Sequence, residues 1–156
     1  MDRRTPMIAG IAFGVLFALA LVTGPGMPGI DRPGLDIVSY VNEHSATMRV
    51  HALLVAFGSL ALVVVFGHAR DRLTGPAGYV FTIGSALVLA QIAVATWFTA
   101  GFALNPAQLG SATARTIGDI VAMSAPMLTF ANIMVAVPIL LAANEDRFPR
   151  WLGIAA

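Results

Sequence analysis

The stretch MRVHALLVAFGSLALVVVFGHARDR, residues 48–72, decides the fold class of this chain. Ionisable side chains stand near both of its ends, and none lies between residues 52 and 67. A helix needs about 20 predominantly apolar residues to cross a hydrocarbon core of about 30 Å. The stretch therefore predicts a membrane-spanning helix at residues 48–68, with charged flanks at the two water interfaces.

The composition of the whole chain indicates the same solvent. Hydrophobic residues make up 58% of the 156 residues and charged residues 11%, whereas soluble domains hold about 45–50% and about 25%. The charges divide the sequence into apolar blocks, and the predicted spans lie near residues 6–24, 48–68, 76–103 and 116–143. The blocks are continuously apolar, which favours helices over a β-barrel. We therefore expect one all-α membrane domain over residues 1–156, a four-transmembrane-helix bundle.

A Pro/Gly-rich segment separates the first two predicted spans. The run TGPGMPGIDRPG, residues 23–34, cannot continue a helix and is expected to form a turn or coil outside the membrane. In the run after it, LDIVSYVNEHSATMR, apolar residues recur at helical spacing. We predict an outer loop followed by a short amphipathic helix, together residues 25–47, with the helix lying on the outer leaflet and running into the second span.

The arginines set the expected orientation. All nine basic residues are arginine, and six fall on one side of the four-span arrangement: Arg3, Arg4, Arg70, Arg72, Arg147 and Arg150. Cytoplasmic loops carry the excess of basic residues, so both termini are expected inside. We expect the first apolar run to be retained as a span, since no cleavage site of the A-x-A kind clearly follows it. The predicted location is the inner (cytoplasmic) membrane, with a multi-pass topology.

The three histidines all lie on or beside the second predicted span. A haem clamped between two helices needs a ligand from each, so no haem is expected. His51 and His68 are separated by about a membrane thickness along the helix. His44 and His51 stand two turns apart, too far for one metal ion without a bend. We interpret them as interfacial residues that end a span; a metal site or an interfacial enzyme around His44 and His51 remains the alternative.

Polar and charged residues near the spans supply the candidate ligand contacts. Gln91 and Asn132 are predicted to pair across two packed helices, with contact to a polar ligand as the alternative. Asp119 is predicted to bridge to Arg49 or His51 and to pin the second span to the fourth. The alternative is an outer-leaflet site for a phosphate head group or another polar ligand. The candidate ligand-binding residues are Gln91, Asn132, His44, Arg49, His51, Arg115 and Asp119.

Small residues and prolines indicate how the helices meet. Small side chains one turn apart let two backbones approach closely. The predicted packing residues are Gly10, Gly14 and Ala18 in the first span, Ala52, Ala56 and Ser59 in the second, and Gly84 in the third. Pro126 and Pro138 both fall in the fourth predicted span, where each favours a kink and a crevice between helices.

Several classes of function lack their usual residues. No carboxylate lies in the core of a predicted span, which disfavours a proton-coupled transporter. The sequence holds no cysteine, no glycine-rich phosphate loop and no zinc-ligand spacing, and a net charge of +1 gives no basic stripe for nucleic acid. No cofactor or metal is expected. The leading interpretation is a non-catalytic accessory or structural component that packs with itself or with other membrane subunits. The alternative is a binder or carrier of a lipid or other hydrophobic small molecule.

The order of elements carries a resemblance to a known group. It consists of an Arg-containing start, a glycine-bearing first span, a Pro/Gly outer loop, the inner turn HARDRL (residues 68–73) and the run RFPRWLG (residues 147–153). This layout resembles uncharacterised actinobacterial polytopic membrane proteins grouped as domains of unknown function. In those proteins a similar Pro-Arg-x-Leu-Gly element, here Pro149 to Gly153, leads into further helices. The resemblance implies a multi-pass membrane fold and brings no activity or functional residues with it.

Overall fold

Helices form all the regular structure in the described part of the chain. The computed structural model describes residues 4–24, 26, 28, 32–145 and 148, apart from the side chains of Ala125 and Met127. The helices are α1 (Arg4–Thr23), α2 (Gly34–Arg70), α3 (Gly75–Leu104), α4 (Ser111–Ala122) and α5 (Ser124–Asn144), with a 3-10 turn at Pro106–Gln108. The predicted all-α fold is confirmed for these residues. The Pro149–Gly153 element and most of the predicted outer loop lie outside them.

Three of the helices are long and apolar enough to cross a membrane. These are α1, α2 and α3, judged by length and composition. A shorter apolar stretch, Leu128–Asn144, forms most of α5. These features agree with the prediction of a membrane protein built on transmembrane helices.

The long helices pack in the order α1, α2, α3, α5, each against the next. The end of α1 lies beside His51 of α2, and Leu16 and Phe13 lie beside Gly58, so α1 and α2 run antiparallel. The shorter α4 packs mainly on the N-terminal half of α2. The four helices do not lie in one plane, because Phe13 of α1 packs against a cluster formed by residues of α2, α3 and α5.

Three apolar clusters follow one another along the bundle. The cap cluster joins the start of α2, the end of α3 and α4, and holds Ile37, Val41, Met48, Phe102, Ala103 and Ala114. The middle cluster consists of Leu62, Val88 and Ala131. The turn cluster, beside the α2–α3 turn, holds Leu73, Phe81, Ala142, Ala143 and Phe148. Apolar packing therefore continues from one end of the bundle to the other.

The start of α2 differs from its prediction. A short helix that lies on the outer leaflet and runs into the second span was expected within residues 25–47, but Gly34–Arg70 is one helix of 37 residues. No Gly or Pro interrupts the sequence between Gly34 and Gly58, so nothing ends the helix where the span was expected to begin. At 1.5 Å per residue α2 is about 55 Å long, well beyond the hydrocarbon thickness of about 30 Å. Its N-terminal part is instead buried against α3 and α4 in the cap cluster.

The fourth predicted span also differs from the structure. Residues 116–143 were expected as one helix, whereas α4 ends at Ala122 and α5 begins at Ser124. Pro126 explains the break, because proline lacks the backbone N–H and its ring clashes with the carbonyl four residues earlier. In the third position of α5 that N–H is not needed, so proline is tolerated there. Pro138, by contrast, stays inside α5.

The turn between α2 and α3 is held by Arg70. Its Nε donates to Thr82 Oγ1 at 3.1 Å, and its Nη1 donates to the Leu73 carbonyl at 3.0 Å. Gly75 follows with a φ of 59°, a left-handed conformation that glycine adopts without strain. The guanidinium of Arg72 lies 5.6 Å from the ring centroid of Phe148. These contacts hold the α2–α3 hairpin together at the end of the bundle where Arg4 also lies.

Gly84 marks the closest approach of α3 and α5. A Cβ atom added there would lie 2.6 Å from Met134 Cβ and 2.9 Å from the Met134 backbone carbon. Real side chains do not approach a backbone so closely, so α3 and α5 would have to separate. Gly84 is thus a position where the absence of a side chain sets the helix distance.

The replacement Gly84→Ala is expected to lower the free energy of unfolding by about 1–3 kcal/mol through overpacking. Gly10→Ala is the matched control, since nothing lies within 4 Å of a Cβ at Gly10. The control is expected to be neutral or slightly stabilising, because alanine favours the helix by up to about 1 kcal/mol over glycine. The measurement is reversible unfolding in mixed micelles, followed by circular dichroism. Equal stability of the two variants would contradict the α3–α5 contact.

Candidate functional site

A large apolar cleft opens between α3, α4 and α5. This side cleft has a volume of about 750 Å³. Its apolar walls include Leu87, Ala90, Val94 and Phe98 of α3, Ile120 of α4, Met123 between α4 and α5, and Phe130 of α5. The break at Met123 creates the cleft, because α4 packs mainly on α2 whereas α5 packs against α3. Size and lining are those of a site for a hydrophobic small molecule.

A smaller pocket lies inside the bundle next to the side cleft. This inner pocket has a volume of about 210 Å³ and is lined by residues of four helices: Phe17, His51, Val55, Gln91, Ile92, Ala95, Thr96, Thr99, Ser124 and Leu128. Gln91, Ala95 and Ser124 line both cavities. The two spaces are therefore neighbours that share one wall, and polar side chains are concentrated on the inner side.

Gln91 forms a hydrogen bond across that shared wall. Its Nε2 donates to the backbone carbonyl of Ser124 at the start of α5. The predicted pair between Gln91 and Asn132 is wrong, since Asn132 is exposed and lines neither cavity. Successive helical residues are rotated by about 100°, and it is Ala131 that is buried toward α3. Gln91 thus joins α3 to α5 through a backbone group instead of a side chain.

His51 joins α1 to α2. Its Nδ1 lies 2.9 Å from the Ala20 carbonyl oxygen, which also accepts the backbone N–H of Gly24 at 2.7 Å. A carbonyl oxygen only accepts, so Nδ1 carries a proton. A Cβ at Gly24 would lie 2.8 Å from His51 Nδ1, so the imidazole fits because residue 24 has no side chain. Sequence reasoning placed His51 at an interface without identifying this partner.

The other two histidines lie elsewhere on α2. His44 Nδ1 is 3.0 Å from the Tyr40 carbonyl, and the two rings stack with centroids 4.3 Å apart. His68 lies in the last turn of α2. Within the described residues no group of three His, Asp or Glu side chains is placed to hold a metal ion. Each histidine has its own local surroundings, and the three do not form one site.

The charged residues at the cap form short-range contacts. Arg115 Nε lies 3.4 Å from Asp119 Oδ2, one helical turn away on α4. Arg115 Nη1 also donates to the Arg32 carbonyl at 3.3 Å, and Arg49 Nε donates to the Ser45 carbonyl at 3.3 Å. The predicted bridge from Asp119 to Arg49 or His51 is therefore wrong. Because α4 is a separate helix, Asp119 meets the partner on its own helix first.

A third, more polar cleft lies at the start of α2. This cap cleft measures about 500 Å³, and its lining includes Arg32, Asp36, Ser39, Tyr40 and Glu43. The Tyr40 hydroxyl is buried without a hydrogen-bond partner among the described residues. Burial raises the pKa of Tyr40 above its ordinary value of 10.0. Sequence reasoning missed this cleft, although Asp36 and Glu43 stand two turns apart on one helix face.

The predicted packing residues fall into two groups. Ala52 is buried, and Gly84 contacts α5. On α1, a Cβ at Gly10 or Gly14 would meet nothing within 4 Å, and Ala18 is exposed. Ala56 is exposed as well, and the Ser59 hydroxyl donates to the Val55 carbonyl of its own helix. The small-residue face of α1 therefore packs against no other helix in the described part of the chain.

Comparison of this chain with protein-family models, with curated proteins and with solved structures finds no match. The features that bear on function are the side cleft, the inner pocket and the free face of α1. The first two are concave and built from several helices, whereas the third is a helix surface.

His51→Leu is expected to lower the free energy of unfolding by about 0.5–1.5 kcal/mol, because it removes the hydrogen bond that joins α2 to α1. His51→Asn is the matched variant, since its amide can still donate to the Ala20 carbonyl. Amide hydrogen exchange in the last turn of α1 should become faster in the His51→Leu variant and should change much less in the His51→Asn variant. Identical exchange in both variants would show that the bond does not hold α1 in place.

Proposed function

We propose that this protein is an integral membrane protein that binds a lipid or another hydrophobic small molecule in the side cleft. The observation that supports this function best is the cleft itself, about 750 Å³ bounded by three helices and lined mainly by apolar side chains. Ligand sites of about 300–1,000 Å³ combine such walls with a few polar groups. Here the polar groups are Gln91, Thr116, Asp119 and Ser124.

In the proposed topology α1, α2, α3 and α5 cross the inner (cytoplasmic) membrane, and both termini face the cytoplasm. Arg4, Arg70 and Arg72 lie at the cytoplasmic end, as the positive-inside rule requires. The cap cluster then lies at the outer surface, because α2 is longer than the hydrocarbon is thick. The side cleft lies between the cap and the middle of the bilayer.

The cleft has a direction that suits an amphiphile. Thr116 and Asp119 belong to α4, next to the cap, whereas Leu87 lies about three helical turns deeper along α3 than Phe98. A ligand would therefore place its polar end on the cap side and its apolar chain deeper along α3. Arg115 balances the charge of Asp119 at this rim.

Ala90→Trp is expected to fill the side cleft and to reduce the lipid that remains bound after purification by at least about tenfold, a loss equivalent to about 1.4 kcal/mol. Ala86→Trp is the matched control, since Ala86 is an exposed alanine one turn away on α3 that does not line the cleft. Native mass spectrometry from mild detergent counts the bound lipids. Equal lipid occupancy of the two variants would refute binding in the cleft.

A second candidate function rests on α1. Among the residues of α1, Ala20 alone is buried, while Gly10 and Gly14 offer a face free of side chains. Faces of this kind allow close helix approach in membranes. The protein would then act as a non-catalytic component that packs against copies of itself or other membrane subunits, with or without bound lipid.

The double variant Gly10→Leu and Gly14→Leu is expected to abolish such assembly, because two leucines prevent close backbone contact. Val15→Leu is the control, since Val15 is already a large exposed residue of α1. Native mass spectrometry and cross-linking in membranes measure the assembly state. If the wild-type chain is monomeric in both assays, this second function is wrong.

A further inference from the structure

Each hydroxyl group that lines the inner pocket donates to a backbone carbonyl three or four residues earlier in the sequence. Thr96 Oγ1 donates to the Ile92 carbonyl at 2.6 Å, and Thr99 Oγ1 donates to the Ala95 carbonyl at 2.9 Å. The Ser124 hydroxyl donates to the Val121 carbonyl at 2.6 Å. A hydroxyl has one proton and two lone pairs. Each group has thus used its proton on the backbone and retains lone pairs that accept.

The two nitrogen-bearing side chains of the pocket add further acceptors. His51 uses its Nδ1 proton on the Ala20 carbonyl, so Nε2 of the neutral ring accepts, and among the described residues nothing donates to it. Gln91 uses one N–H on the Ser124 carbonyl, and its own carbonyl oxygen accepts. Five polar side chains therefore leave one N–H of Gln91 as the only side-chain donor that remains in the described lining.

The pocket has no formal charge to match an ion. No Asp, Glu, Lys or Arg occurs among the described residues that line it. Transfer of a cation into this apolar bundle would cost more than neutral acceptors return. A neutral group that carries its own O–H fits the lining better, because it supplies the donor that the pocket lacks. A group that only accepts hydrogen bonds, such as an ether oxygen, does not supply this donor.

We propose that the inner pocket receives the hydroxyl end of a neutral long-chain alcohol whose chain lies in the side cleft. This inference rests on the proposed lipid-binding function and specifies its ligand class. The shared wall of Gln91, Ala95 and Ser124 places the two cavities next to each other. The volume of about 210 Å³ suits a small head group, and the larger cleft suits the chain.

Two photoreactive probes test this directly. One is hexadecanol with a diazirine near the middle of its chain, and the other is the methyl ether of the same molecule. The protein in lipid nanodiscs is irradiated in the presence of each probe, and the labelled peptides are quantified by mass spectrometry. The alcohol is expected to label α3 and α5 peptides of the cleft about fivefold more strongly than the ether, the value of one good hydrogen bond.

The double variant Thr96→Val and Thr99→Val removes two acceptors while nearly preserving side-chain size. It is expected to reduce the preference for the alcohol to about twofold or less. Thr23→Val is the matched control, because Thr23 donates to the Leu19 carbonyl in the same way and lines neither cavity. The control should keep the full preference. Circular dichroism confirms that both variants remain helical.

The outcomes separate the two proposals. Equal labelling of cleft peptides by alcohol and ether overturns the alcohol inference but leaves lipid binding in the side cleft intact. Labelling by neither probe above the level of an exposed α1 peptide, together with equal lipid content of the Ala90→Trp and Ala86→Trp variants, removes the proposed function itself. An alcohol preference that survives in the Thr96→Val and Thr99→Val variant also overturns the inference.

Discussion

The ring of Pro126 determines how the last apolar part of this chain is arranged. A proline ring clashes with the carbonyl four residues earlier in a continuous helix, and α4 ends at that residue, Ala122, before α5 begins at Ser124. The break lets α4 pack on α2 while α5 follows α3. The side cleft and the contact of Gln91 with Ser124 both follow from that change of direction.

Close packing elsewhere depends on positions where the residue has no side chain. Gly84 lets α3 and α5 meet, and Gly24 leaves room for the imidazole of His51. Such contacts suit a membrane, where helix association relies on packing and hydrogen bonds more than on the hydrophobic effect. The result is a bundle tightly joined at its turn end and middle but open along one side near the cap. The small-residue face of α1 is a separate feature, since a Cβ at Gly10 or Gly14 would meet nothing within 4 Å among the described residues.

The helical class and the three long spans could be predicted, because continuous apolar runs between charges have few alternatives in lipid. Helix boundaries were less predictable. The residues between Leu35 and Met48 were interpreted as a surface helix, yet they continue into the span because Ile37 and Val41 find a buried partner surface on α3 and α4. The effect of Pro126 was recognised as a kink, but not that the whole segment before it would pack on α2.

Single residues of the candidate site were predicted, but their constellation was not. Gln91 was singled out because a polar group in a span needs a partner, and His51 was interpreted as an interfacial residue at the end of a span. Their actual partners are the backbone carbonyls of Ser124 and Ala20, which every sequence offers at every position. Side-chain patterns therefore could not identify them. Thr96 and Thr99 were missed for a related reason, since a threonine that bonds its own helix has no distinctive sequence signal.

The length of α2 has a consequence for the behaviour of this protein in membranes of different thickness. In the proposed topology α2, a helix of 37 residues packed on α4 at one end and held by the Arg70 turn at the other, is longer than the hydrocarbon is thick. In a thinner bilayer such a bundle tilts or thickens the lipid around it, since a spanning segment that is too long is accommodated in those ways. Either response changes the depth of the side-cleft mouth relative to the lipid carbonyl layer. In that topology, acyl-chain length sets how deep the cleft mouth lies.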